Sequence, residues 1–183
     1  EKMAALLAGQ GKKLHAGWVM NMWSNEAQKP GYVLPTIEQV RELEQSALAA
    51  LDAAADLVGN LSGRKFIMLV NAGGADSAGH ELGAEGYRET VAGLDEPLGK
   101  LAETCRKKHV LLVVTADHGM VFPNREGKGG HSAEKYADRL EARRVPLVFL
   151  GPGVEELNLG GSWSETDIAP TLLSLLNISA DLE

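Results

Sequence analysis

Val110-Leu111-Leu112-Val113-Val114-Thr115-Ala116-Asp117-His118-Gly119-Met120 is the stretch on which the reading of the fold turns. Its first five residues are apolar and rich in β-branched side chains, the pattern of a buried parallel strand. The run stops abruptly on an adjacent Asp and His followed by Gly. Open α/β sheets bind their ligands beyond the carboxyl ends of the strands, which is where this ionisable pair falls. If the backbone is still extended there, Asp117 and His118 point to opposite sides and can serve two different centres, such as two metal ions.

Two more apolar runs carry similar loops. Phe66-Ile67-Met68-Leu69-Val70 leads into Asn71-Ala72-Gly73-Gly74-Ala75-Asp76-Ser77-Ala78-Gly79-His80, and Gly129-Gly130-His131-Ser132 precedes Val145-Pro146-Leu147-Val148-Phe149-Leu150. Three of the five histidines, His80, His118 and His131, therefore lie in Gly-rich segments next to core strands. Asp76 and His80 are four residues apart. If the chain turns helically at that point they share a face and can chelate one ion. Taken alone, they read as a helix N-cap aspartate beside an incidental histidine. The presence of Asp117, His118 and His131 in the same chain favours the ligand reading.

Helices fill the spaces between. Thr36 and Gln39 have capping-box spacing, and Ile37, Val40, Leu43, Ala47, Leu51, Ala54 and Val58 form an apolar stripe that Gly59-Asn60 ends. A second helical pattern over residues 84–107 buries Tyr87, Val91, Leu94, Leu98 and Leu101, with Pro97 predicting a kink or a break. Its basic end, Arg106-Lys107-Lys108, suits a helix C-terminus. A short helix is expected over 133–140. A last one is expected after Thr166-Asp167, with Asp167 as N-cap and Ile168, Leu172, Leu173 and Leu176 inward. Strands and helices alternate from residue 65, which predicts an α/β domain with a mostly parallel sheet flanked by helices on both faces.

Composition narrows the function. A chain of 183 residues is long enough for one domain with a sizeable core. Its net charge of -7 gives no general attraction to nucleic acid. The single cysteine, Cys105, excludes an internal disulfide framework and reads as a small packed residue. No apolar run approaches a bilayer span, and residues 1–10 lack the basic start and apolar core of a signal peptide, so no compartment is assigned.

Asp76-x-x-x-His80, Thr115-Ala116-Asp117-His118-Gly119 and Gly130-His131-Ser132, in that order, resemble the alkaline phosphatase superfamily. That group includes cofactor-independent phosphoglycerate mutase, phosphopentomutase, nucleotide phosphodiesterases, phosphoethanolamine transferases and sulfatases. The spacing looks most like the mutase branch, while the wording Asp-His-Gly-Met and Gly-Gly-His-Ser also resembles the phosphodiesterase and phosphoethanolamine transferase branches. The resemblance covers residues 65–177 and implies an alkaline-phosphatase-like fold acting on small phosphate or sulfate esters. It implies two divalent ions, zinc or manganese, with magnesium or calcium as further options. Asp76, His80 and His131 would hold one ion, and Asp117 and His118 part of the other. Asn71 and Lys128 are candidate substrate contacts, although a loop lysine commonly just faces solvent.

One part of that pattern is missing. The family takes a further Asp and a Ser or Thr nucleophile from an earlier strand, but Asp52 and Asp56 fall inside the first helix, and neither Ser24 nor Ser62 has a metal-binding Asp beside it. The chain also opens on Glu1. The expectation is the carboxyl-terminal part of a larger phosphatase, phosphomutase or phosphodiesterase domain, completed by a preceding segment or a partner chain. A non-catalytic metal-binding module of the same fold and a sulfatase are the alternatives.

Overall fold

The computed structural model describes residues 37–61, 63, 66–124, 127–154 and 163–176. They belong to two compact units, divided between Pro152 and Gly153. Ser24, Thr36 and Ser62 lie outside the described residues.

In the larger unit the first helix is α1, Ile37–Asn60. The expected stripe is its buried face, since Val40, Ala47, Leu51, Ala54 and Val58 are all buried, whereas Ile37 at the helix start is exposed. Asp52 and Asp56 lie on the opposite, exposed face. Next come α2, Gly74–Gly93, and α3, Asp95–Lys108. The expected break near Pro97 falls at Leu94, which leaves Pro97 as the third residue of α3. Proline is tolerated there because the first-turn N–H groups have no partner within the helix. Arg106, Lys107 and Lys108 form the last turn of α3, and His109 ends it in the left-handed conformation.

α1 packs on both α2 and α3. Between α1 and α3 lies the main apolar cluster: Leu51, Ala54, Val58, Leu101 and Cys105. Cys105 is thus a core residue, as its sequence context implies. Phe66, Met68 and Val70 pack against the same cluster, while Leu69 is 70% exposed. This alternation is the two-residue period of a strand. No ladder joins residues 66–70 to a neighbour among the described residues.

β1, Leu112–Thr115, and β2, Leu147–Leu150, form the two-stranded sheet of this unit. Val110 and Leu112 turn inward onto the α1–α3 cluster. The two strands pair antiparallel, with Leu112 opposite Leu150 and Thr115 opposite Leu147. That corrects the parallel reading for this pair. An apolar run specifies a strand but not its direction. Direction follows from the connection, and the described residues of 116–146 contain only two four-residue helices, α4 (Glu134–Ala137) and α5 (Leu140–Arg143). Neither is a crossover helix of the kind that returns a chain parallel. The single short helix expected over 133–140 is therefore two.

The smaller unit contains a 3₁₀ turn, Glu165–Asp167, and α6, Ile168–Leu175. Ser164 is the cap of this turn: its hydroxyl accepts from Thr166 N–H, and Asp167 accepts from Ser164 N–H at 2.9 Å. Asp167 holds the N-cap position of α6, as expected, but its side chain caps nothing there and serves instead as the far member of Ser164's capping box. Leu173 is buried, Ile168 and Leu172 are half-buried, and Leu176 stays exposed. No helix among the described residues is long and apolar enough to cross a membrane.

Candidate metal centre

Asp76 is where the site starts. The segment expected as a loop from Asn71 to Gly79 is already helical from Gly74, which puts Asp76 in the first turn of α2 and His80 one turn further. The two therefore share a face, and Asp76 Oδ1 lies 3.2 Å from His80 Nε2. The alternative reading of Asp76 as an N-cap fails, because Gly73 holds that position and no side chain caps the helix. A carboxylate in a first turn is also favoured by the helix dipole.

Two loops bring in the other histidines. His118 follows β1 and His131 follows the Val121–Gly130 bridge. Their Nε2 atoms lie 3.8 and 3.3 Å from Asp76 Oδ1. The two rings stack, with centroids 3.5 Å apart and planes 11° from parallel. Asp76, His118 and His131 each offer one ligand atom within 4.8 Å of the others. This trio cuts across the pairing of ligands that the family resemblance implies. Asp117 stands at the rim: its side chain is 91% exposed, with Oδ2 3.8 Å from His118 Nε2.

Backbone carbonyls orient two of the rings. His80 Nδ1 lies 3.1 Å from the Gly129 carbonyl, and His118 Nδ1 lies 3.0 Å from the Gly119 carbonyl. A carbonyl only accepts, so both rings carry their proton on Nδ1, and in the neutral form both present an Nε2 lone pair to Asp76. Such outer-shell hydrogen bonds are what usually orient a metal-bound histidine. Gly119 is held in turn by its N–H, which donates to the Ala142 carbonyl at 2.6 Å. A Cβ at Gly119 would collide with the Glu141 carbonyl, so this approach requires glycine.

Burial tends to raise the Asp76 pKa, but His80, His131 and His118 outweigh it and hold the carboxyl below its ordinary value. His80 is raised, chiefly through its interaction with Asp76. His131 is lowered, first by burial and then by His118, which favours its neutral form. Asp76 Oδ1 is buried, yet it lacks a well-aligned hydrogen-bond donor among the described residues. A buried carboxylate oxygen among imidazole nitrogens needs a positive partner, which a proton on His80 or a bound cation supplies. Carboxylate and imidazole donors without thiolate suit zinc or manganese.

The remaining candidates lie apart from this trio. Asn71 is exposed before α2. Lys128, a candidate substrate contact that reads more readily as a solvent-facing loop lysine, is exposed and pairs with Glu81 at 2.6 Å. Sequence reasoning missed Glu81 and the orienting carbonyls of Gly119 and Gly129. Carbonyls leave no trace in residue type, but an acid directly after His80 and a lysine directly before Gly129 were visible as opposite charges on two site segments.

Residues 38–180 match the family model described as the Metalloenzyme superfamily. The chain belongs to this family, the alkaline-phosphatase-like group that its three motifs resemble. Among curated relatives, it is 33% identical over 142 residues to 2,3-bisphosphoglycerate-independent phosphoglycerate mutase of Vibrio atlanticus, an alignment covering 76% of this chain and 26% of that one. The mutases of Acinetobacter baylyi and Clostridium perfringens are 27% and 28% identical over 137 residues, covering 74% of this chain and 25% and 26% of theirs. The chain thus spans about a quarter of the length of the curated relatives it matches. No solved structure matches it.

Proposed function

We propose that this chain carries metal-binding residues of a phosphoryl-transfer enzyme that works with two divalent ions, zinc or manganese, on a small phosphate ester. The mutases among its relatives are a guide to the reaction. The observation that carries the reading is the buried Asp76 Oδ1 ringed by the Nε2 atoms of His80, His118 and His131 at 3.2, 3.8 and 3.3 Å. Asp76 supplies negative charge at the centre, and the imidazoles of His131 and of His80, whose Nε2 proton a bound ion would displace, complete one set of donors. Asp117 and His118 contribute to the second. When bound, two such ions clamp a phosphoryl group and stabilise the attacking and leaving oxygens. Asn71, exposed at the mouth of α2, is a candidate contact for the ester. No described Ser or Thr is assigned the phosphoryl-accepting role, which falls to a hydroxyl beyond these residues, in a preceding segment or a partner chain.

Equilibrium dialysis of the 183-residue chain against Mn²⁺ and Zn²⁺ tests this. Asp76→Ala and His131→Ala are expected to weaken binding by more than the roughly 10- to 100-fold typical of losing an outer-shell partner. Binding that ignores Asp76, Asp117 and His131 would sink the proposal. Parallel assays with an activated phosphate ester and an activated sulfate ester separate phosphoryl from sulfuryl transfer.

A further inference from the structure

Three consecutive residues of α2 are tied to two residues of the His131 loop. The Gly129 N–H donates to the Gly79 carbonyl at 2.8 Å. His80 Nδ1 donates to the Gly129 carbonyl at 3.1 Å. Lys128 Nζ donates to Glu81 Oε2 at 2.6 Å. Beyond them, Gly130 exchanges both backbone hydrogen bonds with Val121, and His131 follows. The segment that delivers His131 and orients His80 is thus laced to α2 at positions 79, 80 and 81.

Of these ties, the ion pair is the one made by two side chains that do not face Asp76. An exposed lysine–glutamate pair is commonly worth little. This pair differs on one side, because the Glu81 side chain is only 9% exposed while Lys128 is 61% exposed. A carboxylate so far out of water needs a partner, and Lys128 is the cation that reaches it. Lys128 is committed to Glu81 and is not a free anion contact.

We infer that the Glu81–Lys128 pair is a positioning clamp for the metal centre. It holds residues 128–131 against α2 so that the Gly129 carbonyl sets the His80 tautomer and His131 stays facing Asp76. The inference rests on the reading of this cluster as a metal centre. Glu81 and Lys128 act through His80 and His131 and touch neither substrate nor ion.

The test uses the full chain with Lys128→Met, Glu81→Gln, the double variant and the conservative Lys128→Arg, each first checked for folding by its melt. Two readouts need no metal: the His80 imidazole tautomer by nitrogen NMR above its titration range, and hydrogen exchange at the Gly129 amide. The third is affinity for Mn²⁺ and Zn²⁺. Wild type and Lys128→Arg should hold His80 as the Nδ1–H tautomer and protect Gly129. Lys128→Met and Glu81→Gln should shift His80 toward the Nε2–H form that water favours, speed Gly129 exchange severalfold, and weaken metal binding by about tenfold. The double variant should be no worse than the worse single one, because both cut the same tie. An unchanged tautomer and unchanged Gly129 protection in Lys128→Met would overturn the clamp, even if that variant melts earlier. Additive losses in the double variant would overturn it too. If Glu81→Gln does not fold, Glu81→Asp, which keeps the charge and shortens the reach, carries the same comparison. A wild-type chain that binds no metal while its variants still lose the tautomer would remove the metal assignment and leave the clamp standing.

Discussion

Around Leu51, Ala54, Val58, Leu101 and Cys105, α1 and α3 meet through apolar side chains and one thiol. Around Asp76, the start of α2 meets two loops through imidazoles, a carboxylate and backbone carbonyls. The first region gains its free energy from burial and should tolerate apolar side chains of similar volume at modest cost. The second gathers groups that repel or desolvate one another, and holds them through carbonyl hydrogen bonds and close glycine contacts. The difference teaches that stability and chemistry are divided within one small unit. The α1–α3 core supplies the rigidity, and the site adds polar contacts, the attraction of Asp76 and His80 among them, that set its geometry.

If that division is right, damage to the core should lower stability without altering the site's chemistry. Leu101→Ala removes a buried side chain from the cluster and should destabilise the fold by about 2–5 kcal/mol in urea titration. Metal affinity of the remaining folded protein should stay within about twofold of wild type, since Leu101 belongs to the α1–α3 cluster and not to the site. A large loss of affinity would break the comparison.

Gly83 tests the border between the two regions. It interrupts α2 with φ 73° and ψ -165°, a conformation open essentially to glycine, between the turns that carry Asp76 and His80 and the turns that carry Thr90. Thr90 anchors the second half, bonding Glu44 of α1 and the Gly86 carbonyl. Gly83→Ala should cost about 1–3 kcal/mol of stability. Unlike Leu101→Ala, it should also weaken metal binding, because straightening α2 would swing Asp76 away from His118 and His131. A stability loss with unchanged affinity would show that α2 positions its ligands without the kink.

Cys105 gives the smallest expected effect. Burial pushes its thiol above the ordinary value. Near pH 7 folded and unfolded chains both keep the proton, so the thiol leaves stability independent of pH there. Above about pH 8.5 the unfolded thiol ionises while the folded one does not, and stability falls as pH rises. Cys105→Ala should flatten that part of the alkaline stability profile relative to wild type, and a thiol reagent should label wild type only as it unfolds. Rapid labelling of the folded protein would contradict the packed role.

Much of this was legible from residue order. The α1 stripe is a local pattern, and a helix of that period can bury only that face. Pro97 marked the α2–α3 break to within three residues, because proline acts through its own φ and its missing N–H. The Asp76–His80 pairing followed from helical periodicity once the chain turned there. Less legible were the strand direction of β1 and β2, the helical start at Gly74 and the capping role of Ser164. Each depends on what the segment meets: the connection through residues 116–146, the close packing of Gly74 against Glu44, and the hydroxyl of Ser164 ahead of Asp167.

By itself, the sequence determined the class of chemistry: carboxylates and imidazoles on Gly-rich segments beside apolar runs, no thiolate ligands, and the order of three motifs that places the chain in its family. Those are properties of residue type and spacing. Only the tertiary structure decided which donors converge. It set His118 beside His131 and within 3.8 Å of Asp76, left Asp117 at the rim, and spent Lys128 on Glu81. The reason is physical. Spacing along a helix specifies neighbours one turn apart, but distances between a helix end and two separate loops are fixed by hydrogen bonds and close packing far apart in the chain, which no local pattern encodes.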